Sequence, residues 1–556
     1  MDTQRLILFV VFSISVLLLW ENWQKASLPK QELPTPAAQR ASGVPTPSAP
    51  LSGAAPTGTP SASAGAPRAT GAAPALKGAA VTVRTDLIVA QIDTLGGSLT
   101  RLELRKQKST EDPHKNFVLL DSRYDYSAES GLIGEGMPNH RSLWRLLPGP
   151  LSLAPGSDTL EVRFAAQGPG GLAVEKVYTF HRNSYVIDVA FVLRNQGTAT
   201  VKPDAYFQLV RDDKPPEGEG SFMQHREYYG PAIYTKEHAY HKLDFADIEK
   251  GKAEYPKQAR DGWIAMVQHY FVSAWIPAAN TQREYFVKRL PDGLYSAGVI
   301  LPVPQVAPGA TVRVDAPLYS GPQEEERLKQ AAPGLDLVVD YGWLSIIAWP
   351  LFAVLRFYHH WTGNWGVAII LLTVSVKLLF FPLSAASYRS MAKMKLVTPR
   401  MQKIREMYAN DRAKMNQAMM ELYKTEKINP LGGCLPIAVQ IPVFIALYWV
   451  LLSSIELRNA PFIFWIKDLS ALDPYYVLPV LMTISMVVQT RMNPKPPDPV
   501  QAKVMTFMPF VFSVMFFFFP AGLVLYWLVN NILSILQQWQ IQRMFERGKA
   551  AHAKKR

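Results

Sequence analysis

The sequence is short of cysteine, and it lacks the short motifs that mark common catalytic, metal-binding and nucleotide-binding sites. Its 556 residues contain one cysteine, Cys434, so no disulfide can form within the chain. No G-x-x-x-x-G-K-[ST] loop, H-E-x-x-H helix or C-x-x-C pair occurs, and the ten histidines are scattered. These absences predict a protein that is not an enzyme and that has no metal centre and no cofactor.

Acidic residues are absent from the long apolar runs in the second half of the chain, although the net charge of the whole chain is +13. A basic excess is typical of proteins that bind nucleic acid and of proteins at anionic membrane surfaces. Here the lysines and arginines cluster beside apolar runs and form no single basic stripe. The charge pattern therefore predicts contact with membrane lipids and no specific nucleic acid partner.

The first 80 residues predict a membrane anchor followed by a tether. Residues 6–20 are a nearly unbroken apolar run, which is also compatible with a signal peptide, but no A-x-A site follows directly. We interpret residues 1–25 as a retained transmembrane anchor, since Trp20 and Trp23 suit a membrane interface. Residues 26–80 are dominated by proline, alanine, serine, threonine and glycine, which predicts a flexible tether.

Residues 81–335 consist of short runs in which apolar and polar residues alternate. β-Branched and aromatic residues are frequent in these runs, and glycine, proline and asparagine separate them. This pattern predicts an all-β sandwich domain. A short helix is expected at 322–331, because a proline opens this segment and three glutamates occupy its first turn.

The rest of the chain predicts a helical membrane domain. Residues 336–362 are expected to form an amphipathic helix along the membrane interface. A core at 363–547 is predicted to hold five spans, at 365–384, 431–455, 475–490, 504–519 and 522–541, and a cytoplasmic helical hairpin at 385–430. A basic tail follows at 548–556. The fold class predicted is thus a polytopic α-helical membrane protein with a β-sandwich domain.

Loop charges predict the orientation of these spans. Ten lysines and arginines lie between the first two core spans, and more follow the last span, whereas the loops at 456–474 and 519–522 carry few. The positive-inside rule then assigns the hairpin and both termini to the cytoplasm. The β-domain is predicted to lie on the opposite side of the membrane.

Lys377 is the most informative single residue of the spans. It lies about 18 Å into the 365–384 span, where a lysine costs about 2.5–3.5 kcal/mol, so we expect it to face a partner or a wet cavity. Thr373 lies one helical turn earlier and is expected to extend the polar face. The alternative is a lysine whose flexible side chain reaches the inner headgroups.

The 504–519 span is dense in methionine and phenylalanine. Such adaptable side chains suit a surface that accepts varied apolar helices, and ordinary lipid-facing packing is the alternative. The other spans carry isolated polar groups, such as Gln440, Asn531 and Ser534. Together with Lys377, these groups predict a cation beside a polar concavity.

Several segments of the helical region are similar to one known family. The blocks NPLGGCLPIAVQIPVFIALYWVL, DLSALDPYYVLPVLM, MTFMP and FPAGLVLYWLVNN resemble the YidC/Oxa/Alb family of membrane protein insertases. The resemblance covers residues 336–547, and the layout of the preceding segments matches the Gram-negative version. It implies a multi-pass inner-membrane protein, with the β-domain in the periplasm and a five-helix core that encloses a hydrophilic groove.

The resemblance also implies a function, partners and site residues. It implies insertion and folding of nascent integral membrane proteins, alone or with the Sec translocon (SecYEG and SecDF), and the ribosome and signal-recognition machinery as further partners. Lys377 stands where the family typically has arginine, which keeps the charge but loses the planar fork. Thr373, Gln440, Tyr526 and Trp527 match groove or substrate-contact positions.

Two other functional classes are weaker interpretations of the same sequence. A small-solute transporter or channel is expected to show inverted repeats or paired carboxylates within its spans, and the sequence shows neither. A passive periplasmic scaffold held by membrane helices leaves Lys377 and the polar groups of the spans unexplained.

Overall fold

The structure is a computed structural model, and it describes Pro45 and residues 78–112, 114–216, 228–408, 411–426, 435–493 and 499–553. The predicted anchor and nearly all of the predicted tether lie outside the described residues, as does Cys434. A border between Asp340 and Tyr341 separates two compact units, a β-domain before it and a helical unit after it.

The described part of the β-domain contains two antiparallel sheets of nine strands each. The first sheet consists of β1 (Ala80–Arg84), β2 (Ile88–Asp93), β3 (Ser98–Lys108), β4 (Asn116–Leu120), β5 (Ser127–Ile133), β10 (Asp204–Arg211), β13 (Gln258–Ala259), β16 (Arg283–Arg289) and β17 (Tyr295–Pro302). The second sheet consists of β6 (Arg145–Leu146), β7 (Thr159–Gln167), β8 (Leu172–His181), β9 (Val186–Asn195), β11 (Gly230–Tyr234), β12 (His241–Lys242), β14 (Trp263–Gln268), β15 (Phe271–Trp275) and β18 (Thr311–Pro322).

The core of the β-domain is made by the side chains that alternate inward along these strands. In β2, for example, buried residues alternate with half-buried ones along the whole strand. Aromatic rings from both sheets meet in the core, because Phe207 of β10 lies 5.8 Å from Phe191 of β9 and 5.1 Å from Trp275 of β15, between ring centroids. The predicted all-β sandwich is confirmed.

A fully buried lysine, Lys176 of β8, ties the two sheets together. Its Nζ donates hydrogen bonds to the carbonyl oxygens of Gly96, Gly97 and Ser130, at 2.8, 3.0 and 3.0 Å, and all three acceptors belong to the first sheet or its β2–β3 turn. The ring of Trp144 lies 5.2 Å from the same Nζ. Burial lowers the pKa of Lys176 to about 7.

The β2–β3 turn can approach this lysine because it contains two adjacent glycines. Gly96 and Gly97 have φ angles of +79° and +53°, a region that residues with a Cβ rarely adopt. A Cβ at Gly96 would lie 2.3 Å from the carbonyl oxygen of His140, so the neighbouring loop leaves no room for a side chain. The turn and the buried lysine therefore form one unit.

The described helices are distributed unevenly between the two units. The β-domain contains two short helices, α1 (Phe245–Glu249) and α2 (Glu325–Ala331). The helical unit contains α3 (Ser345–Thr362), α4 (Trp365–Leu379), α5 (Phe381–Met407), α6 (Arg412–Thr425), α7 (Leu435–Ser453), α8 (Val477–Met492), α9 (Pro499–Phe516) and α10 (Ala521–Ala553).

The segment predicted as one span at 365–384 bends sharply in the structure. Helices α4 and α5 meet at Phe380 at an angle of 67°. Pro382 lies in the first turn of α5, where its missing N–H prevents a continuous helix. Within the described residues, no single helix is both long and apolar enough to cross a membrane, whereas Trp365–Leu379 and Phe381–Met394 together meet that requirement as a bent pair.

Helices α5 and α6 form a hairpin with a small apolar core. Val397 and Met401 of α5 are buried against apolar side chains that include Met419 and Leu422 of α6. The carboxylate of Asp411 accepts a hydrogen bond from the backbone N–H of Lys414 and so begins α6. The hairpin therefore has a small apolar core of its own, and an ion pair between Arg400 of α5 and Glu426 at the end of α6 adds to it.

Candidate functional site

Lys377 lies on α4 and is almost completely buried, with 8% of its surface exposed. Its Nζ donates a hydrogen bond of 2.8 Å to the hydroxyl of Ser534 on α10, and that hydroxyl donates in turn to the carbonyl of Asn530 at 2.7 Å. In the part of the chain that the structure describes, no carboxylate pairs with Lys377. Among the described residues, its charge is therefore held by the hydroxyl of Ser534 and not by a carboxylate.

Helix α10 carries the polar groups that continue this site. Asn531 donates from Nδ2 to the hydroxyl of Ser485 on α8 at 2.8 Å, and Gln538 donates from Nε2 to the side-chain oxygen of Asn493 at 3.1 Å. Positions 531, 534 and 538 follow one another at three- and four-residue intervals, so they share one face of the helix. This polar face connects α10 to both α4 and α8.

Some polar atoms on α10 are buried without a hydrogen-bond partner among the described residues. They are Nε2 of Gln537, Oε1 of Gln538 and Nε1 of Trp527. Buried polar groups in proteins are nearly always hydrogen-bonded, so each such atom has capacity left for water or for a polar group of another molecule. These atoms extend the polar character of α10 beyond Ser534 in both directions along the helix.

Thr373 and Gln440 have different surroundings from Lys377. The hydroxyl of Thr373 donates to the carbonyl of Ile369, one turn earlier in the same helix, at 2.6 Å, and its side chain is fully buried. The proton of its hydroxyl is thus donated within α4, and only the acceptor side of the oxygen is left for another group. Gln440 lies half-buried on α7.

Tyr526 and Trp527 form an aromatic junction between three helices. The Trp527 ring lies 4.3 Å from the ring of Phe444 on α7 and 5.4 Å from that of Phe516 on α9, between centroids. Tyr526 is stacked on Phe444 at 6.2 Å. The two residues therefore fix the helices α7 and α9 to α10.

Helix α9 exposes a broad apolar face. Phe507, Val511 and Val514 are each more than 60% exposed, whereas Ser513 and Phe516 on the other side are buried. A contiguous exposed apolar surface of this kind marks a site of contact with lipid or with another protein.

The comparison with curated proteins decides the family. The membrane protein insertase YidC of Nitrosospira multiformis is 54% identical over 570 residues, and the match covers 100% of this chain and 99% of that protein. The chain belongs to the YidC family of membrane protein insertases. The YidC of Aromatoleum aromaticum is also 54% identical, over 99% of each chain.

The YidC family is also matched by domain. Residues 80–354 match the YidC periplasmic domain, and residues 357–549 match the 60Kd inner membrane protein family. A solved structure of an active YidC insertase with its first transmembrane domain resolved is 18% identical, with a TM-score of 0.39, over 82% of this chain and 91% of that chain. The resemblance stated from the sequence is confirmed, as is a YidC fold with an all-β domain and a helical C-terminal region.

The contact between Lys377 and Ser534 was not predicted from the sequence. The sequence predicts a partner or a wet cavity for Lys377, but it does not single out Ser534 among the polar residues of the spans. The regular spacing of Asn531, Ser534 and Gln538 is visible in the sequence, and it identifies the polar face of α10. The orphaned atoms of Trp527 and Gln537 become apparent only once the helices are packed.

Proposed function

We propose that this chain inserts other proteins into the inner membrane, and that the polar face of α10 with Lys377 receives the hydrophilic part of the substrate. The observation that carries the proposal is a buried ammonium group without a carboxylate partner in the described residues, beside polar atoms that lack partners. A charge in a membrane domain is costly unless it is hydrated or paired. Water in the groove, or an acidic group of a passing chain, offsets that cost.

The proposal assigns the apolar part of the substrate to α9. The exposed face of α9 lies opposite Phe516, and Phe516 packs on Trp527 of α10, the helix that carries Ser534. A substrate segment on this face keeps contact with lipid while its polar flank stays near Lys377. The proposed substrate groove consists of Lys377, Gln440, Tyr526, Trp527 and Thr373. Thr373 belongs to it as a neighbour of Lys377 on α4, where its hydroxyl bonds the helix backbone.

Insertion of this kind requires no chemical step. Membrane insertion of an apolar segment is favourable in itself, and the barrier is the passage of its polar flank. A hydrated groove lowers that barrier by shortening the apolar distance that the flank must cross. The proposal therefore assigns no catalytic residue and no cofactor, and the relatives reported above give no support to a small-solute transporter.

The proposed partners follow from the proposed function. Nascent integral membrane proteins are the substrates, and membrane lipids surround the helical unit. The Sec translocon (SecYEG and SecDF), the ribosome and the signal-recognition machinery are proposed to deliver them. The hairpin of α5 and α6 carries most of the lysines and arginines that lie between the first two predicted core spans, and this charge suits contact with a delivering complex on the cytoplasmic side.

The substrate path can be tested by site-specific photo-crosslinking. A photoreactive residue at Phe507, Val511 or Val514 of α9 is expected to crosslink to a stalled nascent membrane protein. Ile484 of α8 is also exposed, at 54%, and serves as the lipid-facing control. Crosslinking that is as strong at Ile484 as on α9 would show mere lipid exposure and would refute the proposed path.

The proposed topology has a separate test. We propose that both termini and the hairpin are cytoplasmic and that the β-domain is periplasmic. Two single-cysteine variants in a Cys434→Ser background, Lys424→Cys and Lys252→Cys, carry the cysteine at an exposed position. A membrane-impermeant thiol reagent is expected to reach Lys424→Cys only from the cytoplasmic side of the inner membrane and Lys252→Cys only from the periplasmic side. Labelling of Lys252→Cys only after the inner membrane is broken would contradict this orientation.

A further inference from the structure

The segment 456–476, between α7 and α8, is an ordered cap with its own hydrogen bonds. The backbone N–H of Leu469 donates to the carbonyl of Ala460 at 3.1 Å. The buried carboxylate of Asp473 accepts from the indole Nε1 of Trp465 at 2.9 Å and from the backbone N–H of Leu478 at 2.7 Å. Asp473 thereby joins the segment to the first turn of α8. We call this segment the aromatic cap.

The aromatic cap is also attached to α4 and α10. The side-chain amide of Asn364, which begins α4, donates to the carbonyl of Phe462 at 2.9 Å. The backbone N–H groups of Ala521 and Gly522, at the start of α10, donate to the cap carbonyls of Ala471 and Leu469 at 2.7 and 2.8 Å. The cap therefore fixes the same ends of three helices, including the helix that carries Lys377.

The outer side of the cap is apolar. Phe464 is 75% exposed and Tyr475 is 71% exposed. The other exposed apolar members are Ile463, Leu472 and Tyr476. A soluble surface rarely presents so many large apolar side chains together, so this face needs an apolar or amphipathic environment. We call these five residues the cap surface.

Backbone conformation supports a functional role for the cap surface. Phe464 and Tyr476 have φ angles of +54° and +55°, which are unfavourable for bulky side chains. Residues held in this region persist when the surroundings over-determine them, and they concentrate at functional positions. The Phe464 ring is exposed and stacks at 5.8 Å on the ring of Trp465, whose indole N–H donates to Asp473.

The cap surface continues an apolar stripe on α8. Tyr476, Val480, Ile484 and Val488 are all exposed and follow at intervals of four residues, so they line one side of the helix over about 18 Å. In a membrane protein such a stripe contacts acyl chains. The cap surface lies at the end of this stripe, and tyrosine at that level is typical of the membrane interface.

We propose that the cap surface inserts into the headgroup–acyl boundary of the lipid leaflet at that end of the helices. The occupant of this face is lipid, because the face is continuous with the α8 stripe and its aromatic composition matches the interface. Since the cap fixes α4 and α10, its position in the bilayer also sets the depth of Lys377 and Ser534. The aromatic cap is then the depth anchor of the groove.

Lipid contact can be measured on the full-length chain in vesicles of phosphatidylethanolamine and phosphatidylglycerol. In a Cys434→Ser background, an environment-sensitive fluorophore is attached to Phe464→Cys or, as the control, to Lys467→Cys, an exposed polar position three residues away. The label at position 464 is expected to be quenched at least about twofold more by shallow spin-labelled lipid than by aqueous iodide. The label at position 467 is expected to show the reverse.

Two quenching results would overturn the proposal. Equal iodide quenching at the two positions would mean that the cap surface lies in water. Protection of position 464 from both quenchers would mean that a protein covers it, and lipid would be the wrong occupant. Neither readout depends on insertion activity, so failure here is distinct from failure of the proposed function.

A pair of variants tests the role as a depth anchor. Phe464→Asn tolerates the positive φ but removes the apolar ring, whereas Phe464→Trp keeps an aromatic group. With a fluorophore at Leu378→Cys, next to Lys377, Phe464→Asn is expected to change the ratio of shallow to deep lipid quenching, and Phe464→Trp is expected to preserve it. An unchanged ratio in Phe464→Asn would show that the cap does not set the depth of the groove.

Discussion

Replacing Lys176 with methionine is expected to flatten the pH dependence of the stability of the β-domain. Burial lowers the pKa of Lys176 from 10.5 to about 7 in the folded protein, whereas the unfolded chain keeps the ordinary value. Between these two values the unfolded state binds more protons than the folded state. The free energy of unfolding therefore rises with pH through this window.

The two pKa values give the size of the effect. Linkage predicts a gain in stability of about 2 kcal/mol between pH 7 and pH 9, and less than about 0.5 kcal/mol between pH 6 and pH 7. Methionine keeps the apolar stem against Trp144 but has no proton to lose, so the variant lacks this contribution. It also leaves the carbonyls of Gly96, Gly97 and Ser130 without their donor, so it is expected to be less stable at pH 9.

Hydrogen exchange measured by mass spectrometry on the full-length protein provides the assay. The amides of β5 and β8 report the opening free energy once the intrinsic pH dependence of exchange is subtracted. Lys202→Met, at an exposed position of the same domain, controls for the loss of a positive charge. If the opening free energy depends on pH in the same way in the wild type and in Lys176→Met, the reasoning is refuted. That result would show that the folded and unfolded states bind the same number of protons at Lys176.

The remaining predictions concern the groove and the domain layout. Lys377→Arg is expected to keep insertion within about twofold of the wild type and Lys377→Glu to lose at least about tenfold, most for substrates with acidic tails, in a vesicle insertion assay. Ser534→Ala removes one hydrogen bond to Lys377, worth about 1 kcal/mol, and is expected to slow insertion by up to about fivefold; an unchanged rate would separate this bond from function. Trp527→Leu is expected to lower the Tm of the helical unit, because the ring contacts with α7 and α9 are each worth about 0.5–1.5 kcal/mol. Deletion of residues 26–322 is expected to leave much of the insertion activity, and complete loss in a stably expressed variant would contradict the assignment of the groove to the helical unit.

The sequence predicted the class of each unit better than the arrangement within it. Alternation along strands such as β2 is a local property, so the sandwich was predictable. The pairing of β10 with β5 and β17 joins segments that are far apart in the chain, and local patterns do not encode such pairs. In the helical unit, the apolar run at 365–384 predicted one span. The structure bends at Phe380, just before Pro382, and a hydropathy pattern carries no information about such a bend.

The same division applies to the candidate site. Lys377 was recognisable because a lysine within an apolar span is costly whatever surrounds it. Its partner Ser534 is 157 residues away, and the choice among the polar residues of α10 depends on how α4 packs against that helix. The hydroxyl of Thr373 was expected to extend the polar face, and its bond to Ile369 depends on the local rotamer, which spacing alone does not give.

The buried tie between the two sheets has a consequence for how the β-domain can change during evolution or engineering. A Cβ at Gly97 would lie 3.2 Å from Cδ of Lys176 and 3.4 Å from the Trp144 ring. A larger residue at 97 therefore competes for space with the lysine stem, and a shorter residue at 176 leaves the turn carbonyls without a donor. Positions 97, 144 and 176, which are in mutual contact, therefore cannot change independently. A library that varies them one at a time is expected to yield few folded members, whereas one that varies them jointly samples the viable combinations.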